Sequence, residues 1–244
     1  MTRAESLAAE IRGYCGKHAD AKAAGKYARY FREGYDSWGL LDKDHEIWNG
    51  RQEEWYERYR GMGLRGFLKL GEILFRSGKY EEGALAIRIL AKFDAEMDKR
   101  VLPGLAKWFE AGIGNWAHVD SVCALILGPA IAGGAIPFSA LKSWRGSKLK
   151  YQRRAVPVAL LGLVKKGADA RPLLEFLRPM MADQERVVHQ GLGWFLREAW
   201  KRQPKPVEAF LLEHKETAAR LIFQYATEKM TARERERFRR TKGR

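Results

Sequence analysis

The sequence predicts an all-α protein, and three observations carry that prediction. Apolar residues recur at spacings of three and four along the chain, which is the period of an amphipathic helix. No segment shows the sustained alternation of apolar and polar residues that is typical of a strand. Short joints containing Gly, Pro or Asp separate the periodic segments, as expected between packed helices.

The periodic segments define the predicted helices. Leu64–Phe75 is the clearest case, because its apolar residues form one broad stripe, and Gly78 is a natural helix stop after it. The predicted helical segments are Leu64–Phe75, Tyr80–Phe93, Leu102–Phe109, Val119–Leu127, Tyr151–Val164, Pro172–Met181, Val187–Trp200, Val207–His214 and Thr217–Met230.

The segment from Val122 to Phe138 is almost wholly apolar. It is shorter than the ~20 residues that a membrane-spanning helix needs, and prolines and glycines interrupt it. We therefore expect a buried helix that ends near Pro129, and no association with a membrane.

Comparable helices recur at a near-constant spacing. Asp120, Gln152 and Gln190 lie early in such helices, at separations of 32 and 38 residues. This spacing is typical of short HEAT-type repeats, whose helical hairpins stack into a curved solenoid with a concave face. We expect one such domain over residues 1–232, followed by a basic tail at 233–244 that frays. Pro157 is expected to kink the helix that carries it.

The chain is strongly basic, with 45 Lys and Arg against 30 Asp and Glu and a formal net charge of +15. Such an excess favours a polyanionic partner, either a nucleic acid or an anionic membrane surface. Lys148, Lys150 and Arg154 lie where a predicted helix begins, so cations and helix N–H groups are expected to meet phosphate together. The basic groove of the solenoid is therefore a predicted DNA-binding surface.

Several classes of site have no signature in the sequence. The five histidines and the two cysteines, Cys15 and Cys123, lack the spacing of a metal site or a redox motif. A phosphate-binding glycine loop, a dinucleotide-binding fingerprint and a nucleophile elbow are also missing. We therefore expect neither metal nor cofactor. Free thiols and an N-terminal segment unlike a signal peptide favour the cytosol, in association with the nucleoid.

Trp116 and Asp120 are the most informative pair of residues. In a helix, a spacing of four places the indole and the carboxylate on one face, one turn apart. An acid beside an aromatic plane suits a cation, which is unusual in so basic a chain. Trp116, Asp120, Arg153, Gln190 and Trp194 are expected to face one groove. The alternatives are that the tryptophans belong to the core and that Asp120 pairs with an arginine such as Arg153.

Four short motifs occur in order along the chain. Residues 28–30 read Ala-Arg-Tyr, 116–121 read Trp-Ala-His-Val-Asp-Ser, 152–155 read Gln-Arg-Arg-Ala, and 193–198 read Gly-Trp-Phe-Leu-Arg-Glu. In sequence, order and rough spacing they resemble the AlkD-type family of HEAT-like-repeat DNA glycosylases. The resemblance extends over about residues 26 to 230.

The resemblance implies a monofunctional enzyme that removes cationic alkylated purines, such as 3-methyladenine and 7-methylguanine, from double-stranded DNA without a metal. The product is an abasic site. Asp120 becomes the catalytic carboxylate, Trp116 and Trp194 the aromatic walls, Arg153 a support for the phosphate or the active site, and Tyr30 a contact to the DNA backbone. A monomer without an obligate protein partner is expected.

Two other functions remain open from the sequence. One is a noncatalytic HEAT-like protein that binds DNA structures such as branches or gaps. The other is a protein-binding solenoid, which is the commonest role of this architecture but is disfavoured by the charge.

Overall fold

The computed structural model describes residues 1–31, 33–42 and 45–241. Within these ranges the regular structure is helical and no strand forms, although an isolated parallel bridge joins Asp36 and Lys79. The all-α prediction is confirmed. The chain divides into two compact units, Met1–Ile126 and Leu127–Arg244.

The α-helices of the first unit are α1 (Arg3–Lys17), α2 (Ala21–Ala28), α3 (Gln52–Tyr59), α4 (Gly63–Phe75), α5 (Tyr80–Leu90), α6 (Leu102–Ala111) and α7 (Trp116–Val122). Helices α4 and α5 pack against each other as a hairpin, α4 also packs against α1 and α6, and α5 also packs against α7. Helices α4 and α6 thus lie side by side, as do α5 and α7, which is the arrangement expected of stacked helical repeats.

Trp108 of α6 lies at the centre of this unit. Its side chain is fully buried, and its indole Nε1 donates a hydrogen bond to the Leu68 carbonyl at 2.8 Å. Gly71 of α4 makes room for it, because a Cβ at that position would lie 2.1 Å from the indole ring. Helices α4 and α6 therefore approach each other closely around one large side chain.

The α-helices of the second unit are α8 (Gly128–Ala132), α9 (Lys150–Ala159), α10 (Leu161–Lys165), α11 (Ala170–Leu177), α12 (Arg186–Trp200), α13 (Pro204–His214), α14 (Arg220–Ala226) and α15 (Ala232–Glu236). Helix α12 is the centre of this unit, because it packs against α9, α10, α13 and α14. Gly193 of α12 allows the close contact with α14, because a Cβ there would lie 2.4 Å from the Cβ of Tyr225.

Two prolines act differently from each other. Pro157 lies within α9, which ends at Ala159, and α10 begins at Leu161. The predicted helix is therefore interrupted, since proline removes a hydrogen bond within the helix. Pro129, by contrast, follows a π-helical stretch, Cys123–Leu127, that joins α7 to α8 without a break, and the helix continues past it to Ala132. The helical segment that contains Pro129 ends at Ala132, three residues beyond the proline, so the expectation of a buried helix ending near Pro129 is confirmed to within one turn. None of the helices described is long and apolar enough to cross a membrane.

Part of the segment expected to fray is ordered. Residues 232–236 form α15, and Phe238 is buried. Arg220 donates a hydrogen bond to the Phe238 carbonyl at 2.9 Å, and Arg240 donates one to the Ala218 carbonyl at 3.2 Å. The buried ring of Phe238 holds this basic segment against the rest of the second unit. The net charge of the segment gave no indication of this contact.

Candidate functional site

Helix α7 begins at Trp116 because Asn115 caps it. The Asn115 side-chain oxygen accepts a hydrogen bond from the His118 backbone N–H at 2.9 Å. The helix thus starts three residues before the periodic segment predicted from Val119. Trp116 and Asp120 both lie within it, so they share one face, one turn apart, as the sequence predicted. Trp116 is 42% exposed and Asp120 is half-buried.

Two consecutive residues orient the Trp116 ring. Its Nε1 donates a hydrogen bond to the Tyr30 carbonyl at 3.2 Å, and Phe31 stacks on it with ring centres 5.8 Å apart and an interplanar angle of 14°. Tyr30 itself is 54% exposed, and its hydroxyl accepts a hydrogen bond from Arg29 at 2.9 Å. Trp116 and Tyr30 therefore lie together at the surface. Phe31 directly follows the Ala-Arg-Tyr motif, but no spacing or motif in the sequence predicted its contact with Trp116.

His118 fixes α7 to α5. Its Nε2 donates a hydrogen bond to the Tyr80 carbonyl at 2.9 Å, and its Nδ1 lies 2.9 Å from the Asn115 side-chain nitrogen, from which it accepts. This pair of contacts requires the neutral ring. Burial lowers the pKa of His118 to about 4, although the Tyr80 carbonyl opposes the shift. His118, midway between Trp116 and Asp120 in the sequence, is thus a buried residue that fixes the position of α7.

A buried carboxylate holds the segment that follows the Ala-Arg-Tyr motif. Glu81 of α5 accepts hydrogen bonds from the backbone N–H groups of Trp38, Gly39 and Leu40, each at 2.9 Å, and from the Ser37 hydroxyl at 2.6 Å. These donors replace the water that the carboxylate loses on burial. The segment is therefore attached to α5, the helix whose Tyr80 carbonyl also accepts the hydrogen bond from His118.

The second unit contains a charged pair that the sequence did not reveal. Arg153 of α9 donates to both carboxylate oxygens of Asp183, at 2.6 and 3.3 Å, and to the Ser147 carbonyl at 2.6 Å. These hydrogen bonds fix the plane of the guanidinium group. The group lies near the surface, because the Arg153 side chain is 15% exposed. The partner found for Arg153 is thus Asp183, thirty positions further along the chain.

Arg154 does not occupy the position predicted for a DNA contact. It is only 6% exposed, and its Nη1 donates a hydrogen bond to the Val187 carbonyl at 2.9 Å. Neighbouring residues of a helix point about 100° apart, so Arg153 and Arg154 face different surroundings. The prediction for Arg154 is corrected: its guanidinium is a buried link between α9 and α12.

The remaining predicted residues of the second unit lie at or near the surface. Lys148 is exposed, while Lys150 is half-buried with its ammonium 5.6 Å from the centre of the Tyr151 ring. Gln190 and Trp194 lie on α12, four positions apart, and both are half-buried. Gln190 donates a hydrogen bond to the Tyr225 hydroxyl at 2.8 Å. These residues share one face of α12 by their spacing.

The fold and these side chains define a class: an all-helical repeat protein with a surface tryptophan and a carboxylate on one helix face and a large excess of basic residues. The particular family follows from comparison with known proteins. The chain belongs to the family of DNA alkylation repair enzymes, whose family model matches residues 15–230. Membership supports a role in DNA alkylation repair.

A solved structure from Enterococcus faecalis, described as a predicted DNA alkylation repair enzyme, has the same fold. The TM-score is 0.73 at 15% sequence identity, and the match covers 88% of this chain and 98% of the other. No curated protein matches the sequence significantly. The helical-repeat class predicted from the sequence is confirmed by this similarity.

Proposed function

We propose that the protein is a monofunctional DNA glycosylase that hydrolyses the N-glycosidic bond of cationic alkylated purines in double-stranded DNA. The substrates are 3-methyladenine and 7-methylguanine, and the product is an abasic site. One observation carries this proposal: an exposed indole and a half-buried carboxylate, Trp116 and Asp120, share a face of α7. Family membership and the net charge of +15 support DNA as the partner.

The chemistry needs an anion more than an acid. A purine alkylated on a ring nitrogen is already positive, so the enzyme does not need to protonate the leaving base. As the glycosidic bond breaks, positive charge moves to the sugar, as in other reactions with oxocarbenium-like transition states. The Asp120 carboxylate stabilises this charge and orients the attacking water. A preorganised charge of this kind contributes several kcal/mol to lowering the barrier.

The aromatic residues of the first unit recognise the substrate in this proposal. The Trp116 face attracts the cationic nucleotide by about 0.5–2 kcal/mol. Tyr30, exposed beside it, contacts the DNA backbone. Because Trp116 is held by Tyr30 and Phe31 before substrate arrives, little freedom is lost when the nucleotide binds.

Residues of the second unit have roles of their own in this proposal. Trp194 supplies an aromatic face, and Lys148, Lys150 and Gln190 contact the DNA. Arg153, fixed by Asp183, supports the phosphate as a positioned donor rather than as an isolated charge, because its carboxylate partner balances that charge. Arg154 has no part in this set, since it is buried.

The decisive experiment measures release of free bases from methylated double-stranded DNA, with a chelator present. We expect the wild-type chain to release 3-methyladenine and 7-methylguanine. Asp120→Asn should slow release by about a hundredfold or more, while DNA affinity stays nearly unchanged. Glu110→Gln is the matched control, because it removes one carboxylate from an exposed position on α6, a neighbouring helix of the same unit.

Two results would contradict the proposal. Full activity of Asp120→Asn would remove Asp120 from the chemistry. Tight DNA binding by the wild-type chain without any base release would instead identify a noncatalytic protein that recognises DNA structures, and binding to branched and gapped duplexes would then be compared with binding to intact ones.

A further inference from the structure

A groove of about 860 Å³ lies between α4 and α6, two helices that carry none of the residues of the candidate functional site. Trp116 and Asp120 belong to α7, which packs on α5, whereas the groove belongs to the other pair of neighbouring helices in this unit. The residues that line it are Leu64, Arg65, Leu68, Lys69, Glu72, Arg100, Gly104 and Lys107, so four cations and one carboxylate face the groove.

The floor of this groove is apolar. Leu64 and Leu68 are half-buried on α4, one turn apart. Gly104 of α6 allows Leu68 to lie across that helix, because a Cβ at Gly104 would be 2.9 Å from both terminal methyl groups of the leucine. The two helices thus leave a leucine surface between them that is large enough for a bulky apolar side chain.

The rim of the groove is cationic. Arg65, Lys69, Arg100 and Lys107 are all exposed. Two of them are engaged: Lys69 donates to Glu72 at 2.9 Å, and Arg100 donates to Asp98. In the described parts of the chain, the other two, Arg65 of α4 and Lys107 of α6, make neither an ion pair nor a hydrogen bond. The pKa of Glu72 is lowered mainly by its hydrogen bond from Lys69, with smaller effects of the charges of Arg76 and Lys107.

We propose that this groove binds an acidic peptide segment of a partner protein, with carboxylates on Arg65 and Lys107 and a bulky apolar side chain on Leu64 and Leu68. Charge complementarity selects the acidic character, and the leucine floor selects a peptide over nucleic acid. A phosphate backbone matches the cations but leaves the leucines uncovered. The groove is therefore a second binding site, independent of the proposed glycosylase chemistry.

The test uses the full chain and a fluorescein-labelled peptide of aspartates followed by Leu-Phe, with binding followed by fluorescence anisotropy at low salt. The double variant Arg65→Glu/Lys107→Glu should bind the peptide at least about tenfold more weakly. Lys17→Glu/Lys22→Glu is the matched control, since it makes the same change in charge at exposed positions of α1 and α2. A peptide with Gly-Gly in place of Leu-Phe should also bind more weakly. Thermal unfolding confirms that both variants are folded.

Four results would overturn the proposal. The first is that the groove variant binds the peptide as tightly as the wild type does, and the second is that the control variant loses as much affinity as the groove variant. The third is that the Gly-Gly peptide binds as tightly as the Leu-Phe peptide. The fourth is that the groove variant loses affinity for unmodified duplex DNA and not for the peptide, which would make the groove a DNA contact.

Base release distinguishes this proposal from the glycosylase proposal. The groove variant should release bases as fast as the wild type does, whether or not it binds the peptide.

Discussion

The indole N–H of Trp116 donates a hydrogen bond to the backbone carbonyl of Tyr30 across 3.2 Å. With Phe31 stacked on the same ring, an exposed aromatic side chain is held in one orientation by residues far from it in the chain. An exposed tryptophan usually samples several rotamers, and restricting it has an entropic cost. Here the cost is met during folding, so the ring is ready to receive a planar cation.

Removing the Trp116 ring should slow base release. We expect Trp116→Ala to reduce the rate by roughly two- to thirtyfold, because a cation–π contact is worth about 0.5–2 kcal/mol. Trp116→Phe keeps an aromatic face but loses the hydrogen bond to the Tyr30 carbonyl. Its rate of base release should therefore lie between that of the wild type and that of Trp116→Ala. Single-turnover kinetics on methylated duplex DNA measure the effect.

Thermal unfolding provides the control for that experiment. Because Trp116 is 42% exposed, both variants should unfold within a few degrees of the wild type. If Trp116→Ala releases bases as fast as the wild type while Asp120→Asn is inactive, the indole has no role in recognising the base.

His118 should make the protein sensitive to acid. Its pKa is about 4 in the folded chain and near 6.5 when exposed, so the unfolded state takes up a proton first as the pH falls. Its contribution to stability is complete above pH 6.5 and is lost as the pH falls toward 4. The loss amounts to about 3 kcal/mol. Urea unfolding across this range measures it.

His118→Gln is the matched variant, because an amide can donate to the Tyr80 carbonyl and accept from Asn115 without titrating. Its stability should depend less steeply on pH than that of the wild type. The pKa of His214 is also lowered by burial, but this group is common to both proteins and cancels in the comparison. Equal pH dependence of the two proteins would show that His118 takes up its proton as readily folded as unfolded.

Lys148 and Arg154 should affect DNA binding in different ways. Lys148 is exposed, and a lysine that neutralises a phosphate contributes about 0.9 to the slope of log affinity against log salt. Lys148→Gln should therefore lower the magnitude of that slope by about this amount. Arg154→Met should leave it unchanged, because the buried guanidinium donates to the Val187 carbonyl.

DNA-binding titrations at several salt concentrations check both variants, and circular dichroism confirms that each is folded. Arg154→Lys is a second variant for comparison with Arg154→Met, because both lose the guanidinium that donates to the Val187 carbonyl but only the lysine keeps the charge. The prediction fails if either Arg154 variant shows a shallower salt dependence of DNA binding and Lys148→Gln shows the same slope as the wild type. That result would assign the DNA contact to Arg154 and not to Lys148.

Adjacent residues in the basic segment illustrate what could be predicted and what could not. The period of apolar residues was enough to predict the helix that contains Arg153 and Arg154. It could not assign their surroundings, because one is fixed by Asp183 and the other lies under α12, and both partners are distant in the sequence. The same reason hid Phe31, because four α-helices, α3 to α6, separate it from Trp116 along the chain.

By itself, the sequence determined the all-helical class, the family motifs, the positive charge and the shared face of Trp116 and Asp120. These properties follow from local spacing and composition, which need no knowledge of distant neighbours. Only the tertiary structure decided which cations remain at the surface, which ring supports Trp116 and where a groove opens between α4 and α6. Burial and hydrogen bonding are properties of contacts between distant parts of the chain, and such contacts exist only once the helices have packed.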